Sequence, residues 1–297
     1  MSEIRIDALL PAEMATRAEY VGVRKAEMPA LRMFMLAVLA GGFIAMGAMF
    51  ATTVSAGSIP VTDTSGAAAF RAALPYGVVR LLAGLVFSLG LILVVVGGAE
   101  LFTGNNLIVM AWASGKVSGR ALLRNWLIVY LGNFVGSIGT AVLVFLGRQY
   151  TFGDLAVGIT ALRTAISKCD LGFLQAIALG ILCNALVCMA IWLTFSARST
   201  IDKILAIIFP IAAFVAAGFE HSVANMYFIP YALLIKSFDP QFMQLPQVQA
   251  LFSSGDPLNW GQFLLGNLLP VTIGNIIGGA GLVAAVYWAI FLRKSDR

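Results

Sequence analysis

Gly98-Ala99-Glu100-Leu101-Phe102-Thr103-Gly104-Asn105 and, 120 positions on, Gly218-Phe219-Glu220-His221-Ser222-Val223-Ala224-Asn225 carry one pattern, G-x-E-x-x-x-x-N. Each interrupts a long apolar stretch, and Glu100 and Glu220 are the acids that fall at membrane depth. A charge in hydrocarbon is costly and marks a functional or structural need. Polar breaks in corresponding places of two halves are the sequence signature of a transport site. A broken helix leaves backbone groups unpaired, tolerated only against protein or a water-filled cavity. Glu100 and Glu220 are suited to accept such N–H groups as loop staples. Asn105 and Asn225 are expected to cap the half-helices that follow.

The surrounding composition is that of an integral membrane protein. The 297 residues are 60% hydrophobic and 11% charged, with mean hydropathy +0.92, against about 25% charged in a soluble domain. The net charge of +5 lies between spans and forms no nucleic-acid patch. Cys169, Cys183 and Cys188 give no disulfide framework and no metal spacing. Cys183 and Cys188 read as small core hydrophobes. No metal or cofactor is called for. Met1 to Met28 is charged and interrupted, unlike a cleavable signal.

Residues 1–30 contain a short amphipathic helix near Asp7 to Gly22. Asp7 suits its cap and Pro11 its first turn, with Leu9, Leu10, Met14, Ala18 and Val21 on one face. Six spans follow: Leu31 to Val54, Leu74 to Ser114 broken by the first motif, Leu122 to Leu146, Phe173 to Phe195, Ile204 to Leu234 broken by the second motif, and Phe263 to Leu292. A polar loop with Ser58, Asp63 and Ser65 joins spans one and two. One side carries 13 Lys and Arg, among them Arg17, Arg24, Lys25, Lys116, Lys203 and Lys294; the other carries six, Arg71, Arg80, Arg148, Arg163, Lys168 and Lys236. Both termini are therefore expected in the cytoplasm.

A second echo is Gly132-Asn133-Phe134-Val135-Gly136 against Gly274-Asn275-Ile276-Ile277-Gly278. Each half is three spans, so the second half must insert upside down: an inverted repeat, 31–146 and 173–292, in a single transmembrane domain over 1–297. Small residues in this echo also serve close helix packing.

His221 is the one histidine and sits directly after a break. At a narrow point of a pore it supplies a hydrogen bond or a proton to an anion; the alternative is a satisfied core histidine. Thr103 and Ser222 place hydroxyls beside the breaks, and Asn184 in an apolar span needs a partner. Phe87, Leu91, Leu101 and Phe214 flank the breaks as candidate dry constrictions, ordinary packing being the alternative. Lys168 lies before span four, where it either draws anions to a mouth or is simply solvated.

These motifs, with Leu182-Cys183-Asn184-Ala185-Leu186-Val187-Cys188 and Pro270-Val271-Thr272-Ile273-Gly274-Asn275 in the same order, resemble the formate/nitrite transporter family over about residues 5–292. Phe87-Ser88-Leu89-Gly90-Leu91-Ile92-Leu93 brings the resemblance closest to its bacterial formate channels. The resemblance implies an all-α, aquaporin-like six-helix bundle with spans two and five broken. It implies a homopentamer in the bacterial inner membrane, one pore per protomer, and small weak-acid anions as cargo: formate first, with nitrite, hydrosulfide or short carboxylates as alternatives. By motif it places Thr103 and His221 in the two loops, Asn275 near the histidine, and Asn184 in span four. It gives Leu91 with Leu101 the cytoplasmic constriction and Phe87 with Phe214 the outer one. Lys168 matches its vestibule lysine, and the amino-terminal helix a pH-dependent gate. The loop from Ser55 to Pro75 is longer than the family pattern. A neutral-solute channel of the aquaporin type would carry Asn-Pro-Ala loops, and the chain has no Asn-Pro dipeptide. An enzyme would need a nucleophile, metal site or base cluster that this pattern lacks.

Overall fold

The computed structural model describes residues 8–57, 59–62, 68–72 and 74–293, with 59–62 and 68–72 described by backbone alone. Among the described residues, five helices are long and apolar enough to cross a membrane: α2 (Ala30–Ser55), α3 (Tyr76–Gly97), α5 (Gly119–Leu146), α7 (Phe173–Ser196) and α12 (Gln262–Phe291). Between α7 and α12 come two 17-residue helices, α8 (Thr200–Ala216) and α9 (Ser222–Phe238), separated by the second motif. The first motif follows α3 and leads through a 3-10 turn, Gly104–Ile108, into short α4 (Val109–Ala113). Both breaks begin with a left-handed glycine, Gly98 at φ 77° and Gly218 at φ 76°, a conformation that costs any residue with a Cβ. Short helices α10 (Pro240–Met243) and α11 (Pro246–Gln249) precede α12.

The helices approach at glycines. A Cβ at Gly136 of α5 would stand 1.9 Å from the Val38 carbonyl oxygen of α2, and one at Gly278 of α12 2.1 Å from that of Ile181 in α7. Without hydrophobic drive between helices in lipid, such close approach supplies the packing energy. Large apolar side chains such as Leu127, Leu143, Leu174, Phe209 and Leu265 remain exposed on the outside of the bundle.

Three expectations are corrected. The amino-terminal helix is α1 (Pro11–Ala26), displaced from Asp7–Gly22, and Glu13 Oε2 accepts the Leu10 N–H at its start; Asp7 lies outside the described residues. Met14 and Ala18 are buried, but Leu10 is exposed, because the face of α1 that packs on Leu107, Ile108, Met110 and Ala111 leaves it out. The loop between α2 and α3 carries a two-stranded antiparallel pair, β1 (Ile59–Thr62) with β2 (Ala68–Ala72); Ser58, Asp63 and Ser65 lie outside the described residues. A helix the spans did not anticipate, α6 (Ala156–Cys169), bridges α5 and α7. It buries Val157, Ala161, Leu162, Ala165 and Cys169, a helical spacing too short and polar to span. Burial pushes the Cys169 thiol up to about 12.

Candidate functional site

The two breaks are built by the same hydrogen bonds. In the first, Ala99 N–H donates to the Val94 carbonyl at 2.9 Å and Glu100 N–H to that of Leu36 at 3.2 Å. In the second, Phe219 N–H donates to Phe214 at 3.0 Å and Glu220 N–H to Leu179 at 3.3 Å. One asparagine then spans each turn. Asn133 Oδ1 accepts the Phe102 N–H at 2.9 Å, while its Nδ2 donates to the carbonyls of Glu100 and Ala37 at 2.9 and 2.8 Å. Asn275 Oδ1 accepts the Ser222 N–H at 2.9 Å, and its Nδ2 donates to the carbonyls of Glu220 and Gly180, both at 2.9 Å. These amides satisfy backbone groups of each turn and tie it to a neighbouring helix, α2 or α7.

The two carboxylates follow a matching rule. Lys25 Nζ lies 2.7 Å from Glu100 Oε1, and Asn105 Nδ2 donates to Glu100 Oε2 at 2.7 Å and to Asn125 Oδ1 at 2.9 Å. Lys168 Nζ lies 2.7 Å from Glu220 Oε1, and Asn225 Nδ2 donates to Glu220 Oε2 and to Asn267 Oδ1, both at 2.7 Å. Asn125 Nδ2 reaches the Lys25 carbonyl at 3.1 Å, as Asn267 Nδ2 reaches that of Lys168 at 2.8 Å. Lys25 is on α1 and Lys168 on α6, so these two short helices hold equivalent places. Glu100 and Glu220 therefore take side-chain donors rather than turn N–H groups. Asn105 and Asn225 likewise anchor carboxylates, and the cap of α9 is His221.

That capping fixes the histidine. His221 Nδ1 accepts the Ala224 N–H at 3.0 Å, so a neutral ring carries its proton on Nε2. Nε2 is 3.0 Å from Thr103 Oγ1 in the first break, and that hydroxyl accepts the bond. The ring is buried and stacks on Phe214, centroids 5.9 Å apart. Phe214 in turn meets Phe87 edge-on at 5.6 Å. The Thr103 carbonyl is held by Asn184 Nδ2 at 3.2 Å and Cys188 Sγ at 3.4 Å. Asn184 Nδ2 also donates to the Asn275 carbonyl at 2.6 Å. Asn275 lies near the histidine as the resemblance implies, but it acts on the backbone either side of it, while Thr103 and Ala224 hold the ring itself.

Two cavities approach this centre. One, about 290 Å³, lies under α1 and is lined by Arg17, Lys25, Lys203, Glu100 and Leu101. The other, about 570 Å³, lies beside α6 and is lined by Arg80, Lys168, Phe87, Phe214, Glu220 and His221. They share no lining residue. Leu91 and Leu101 are buried at 1% and 2% exposure, Phe87 and Phe214 at 3% each, so apolar side chains and the Thr103–His221 contact separate the cavities. The structure thus gathers His221, Thr103, Asn275 and Asn184 at one centre and leaves Lys168 on the wall of the cavity beside α6. Lys25, Asn125, Asn267 and Arg80 were missed. A signal for the asparagines was present: Asn125 precedes Asn133 by the interval at which Asn267 precedes Asn275, all within apolar helices.

A family model, Formate/nitrite transporter, matches residues 12–289. Formate channel FocA of Escherichia coli (strain K12) is 44% identical over 292 residues, covering 98% of this chain and 97% of that protein. Formate channel FocA of Haemophilus influenzae is 39% identical over 92% of this chain and 91% of its own length. Among solved structures, a pentameric formate channel with formate bound superposes with a TM-score of 0.75 at 43% identity, over 89% of this chain and 98% of that one. An FNT family ion channel superposes with a TM-score of 0.73 at 26% identity, over 94% of this chain and 98% of its own.

Proposed function

This chain belongs to the formate/nitrite transporter family, and from that premise we propose that it conducts small monovalent weak-acid anions, formate foremost, across the bacterial inner membrane. Its relatives are channels, not enzymes. The proposed architecture is one aquaporin-like transmembrane domain of six spans in two inverted repeats, 31–146 and 173–292, with α3/α4 and α8/α9 as the broken spans. The paired hydrogen bonds of Asn133 and Asn275 and of Glu100 and Glu220 support that reading. Because Lys25 and Lys168 are paired in the same way, each repeat extends to take in a preceding short helix, α1 or α6. The pentameric state of the solved relative supports five protomers, each with its own pore. The Lys and Arg count puts the termini and the α1-side cavity in the cytoplasm, and the α6-side cavity outside.

The observation that carries the mechanism is the tautomer imposed on His221. A bare anion cannot enter an apolar constriction without losing hydration that nothing replaces. With Nδ1 occupied by the Ala224 N–H, His221 meets that anion as a neutral donor through Nε2–H. The bond passes from Thr103 Oγ1 to the anion, and the freed hydroxyl donates in turn. Phe87 with Phe214 and Leu91 with Leu101 exclude water on either side, so the ion is handed across without a hydrated path. Protonating the substrate through a cationic His221 would require a second proton on Nδ1 and the loss of the α9 cap. The geometry therefore favours anion conduction over histidine-driven symport. Cations at both mouths disfavour a neutral-solute channel.

Uptake of labelled formate into proteoliposomes, with nitrite, acetate and hydrosulfide as competitors, tests this reading. Saturable formate uptake supports it. Flux of another of these anions alone moves the substrate within the family, and absence of all anion flux overturns it.

A further inference from the structure

We propose that Arg80, rather than Lys168, is the cation that recruits anions to the outer cavity; the inference rests on the anion-channel reading above. Arg80 is in the second turn of α3 and lines that cavity. Its Nε donates to the Ala216 carbonyl at 3.4 Å and its Nη2 to that of Val215, both in the last turn of α8. A Cβ on Gly218 would stand 3.6 Å from Nη2, so the guanidinium rests on the turn that three residues later presents His221.

The charges decide which cation an arriving anion meets. Lys168 is 2.7 Å from Glu220, and the two side chains are 15% and 5% exposed. Seen from the cavity, this pair is a dipole with a net charge near zero. Among the described residues, Arg80's hydrogen-bond partners are neutral carbonyl oxygens at a helix end. A helix carboxyl end carries only about half a negative charge, so about half a positive charge remains uncompensated at Arg80. Arg163, exposed on α6 at the same cavity, adds a solvated charge farther out. A cationic cleft with apolar walls raises the local anion concentration, and Phe87 and Phe214 form such walls beneath Arg80. Carrying charge without a shaped pocket, Arg80 acts alike on any small monovalent anion.

The test is formate uptake by right-side-out proteoliposomes as a function of formate and salt, from about 0.02 to 0.3 M. Arg80→Gln is expected to raise the half-saturating concentration roughly three- to tenfold, with the maximal rate within about twofold, and to flatten the salt dependence. Arg80→Lys keeps the charge and is expected to stay near wild type. Tyr76→Glu places a carboxylate one helical turn before the guanidinium at an exposed position without removing its bonds, and is expected to reproduce Arg80→Gln. It carries the decision if Arg80→Gln does not assemble. An unchanged half-saturation and salt dependence in Arg80→Gln or in Tyr76→Glu overturns the inference. So does an Arg80→Lys that behaves as Arg80→Gln, which would make Arg80 a clamp on α8 rather than a charge. A wild type that passes no anion fails the channel reading instead, and is told apart by that.

Discussion

Nε2 of His221 and Oγ1 of Thr103 stand 3.0 Å apart across 118 residues of sequence, joining the two polar breaks in a single buried hydrogen bond. Each member is held by something else: His221 by the Ala224 N–H it caps, Thr103 through its carbonyl by Asn184 and Cys188. The pair is positioned by backbone, so it stays aligned when an anion replaces one of its bonds.

Thr103→Val removes the hydroxyl that donates to the anion once the His221 bond has passed to it, and a hydrogen bond to a charged group is worth about 1.5–3 kcal/mol. Formate flux is expected to fall by about tenfold or more, since each 1.4 kcal/mol is a factor of ten. Thr103→Ser keeps the hydroxyl and is expected to retain most of the flux. Equal rates in the two variants would remove Thr103 from the path.

Asn275→Leu deprives two backbone groups of the second break and the Gly180 carbonyl of α7 of their partner, and Asn133→Leu does the same to two groups of the first break and the Ala37 carbonyl of α2. Each is expected to lower stability in detergent by on the order of 2–4 kcal/mol, with the two losses similar in size. Thermal melting of the purified variants measures this; one variant melting like wild type would break the equivalence of the two turns.

Glu220→Gln strands Lys168 in a mostly buried site, and Lys168→Met strands Glu220. Removing one partner of a buried pair costs about 3–5 kcal/mol, whereas replacing both is often close to neutral. The double variant is therefore expected to assemble and melt closer to wild type than either single variant. Additive losses would mean that the two residues do not depend on each other.

Gly136→Ala and Gly278→Ala each drive a methyl into a facing carbonyl oxygen, at 1.9 and 2.1 Å before relaxation. Gly139 and Gly281 have no atom within 4 Å of a built Cβ, so alanine there is expected to be silent. Yield of assembled protein in detergent should separate the two pairs; loss at Gly139 or Gly281, or none at Gly136 and Gly278, would contradict the packing.

The breaks were legible because a carboxylate in an apolar run has few explanations, and two at matching places have fewer. His221 stood out as the one histidine at such a break, and the glycine echoes of α5 and α12 were legible as spacing. The partners were not. Lys25 reads as one of several amino-terminal cations, and only the fold brings α1 over the first break. Asn125 and Asn267 look like isolated polar residues until the carboxylates arrive beside them. The cap was misassigned because Asn105 and Asn225 have the better capping chemistry, whereas Nδ1 of His221 was already aimed at the Ala224 N–H. Helix α6 was missed because its short apolar face lies between spans that dominate any hydropathy reading.

The central claim, that a neutral His221 passes anions between two dry constrictions, is tested most directly by labelled formate uptake into proteoliposomes bearing wild type or His221→Phe. The account predicts saturable formate flux in the wild type and its loss or altered anion selectivity in His221→Phe. Formate flux of unchanged rate and selectivity in His221→Phe would contradict it.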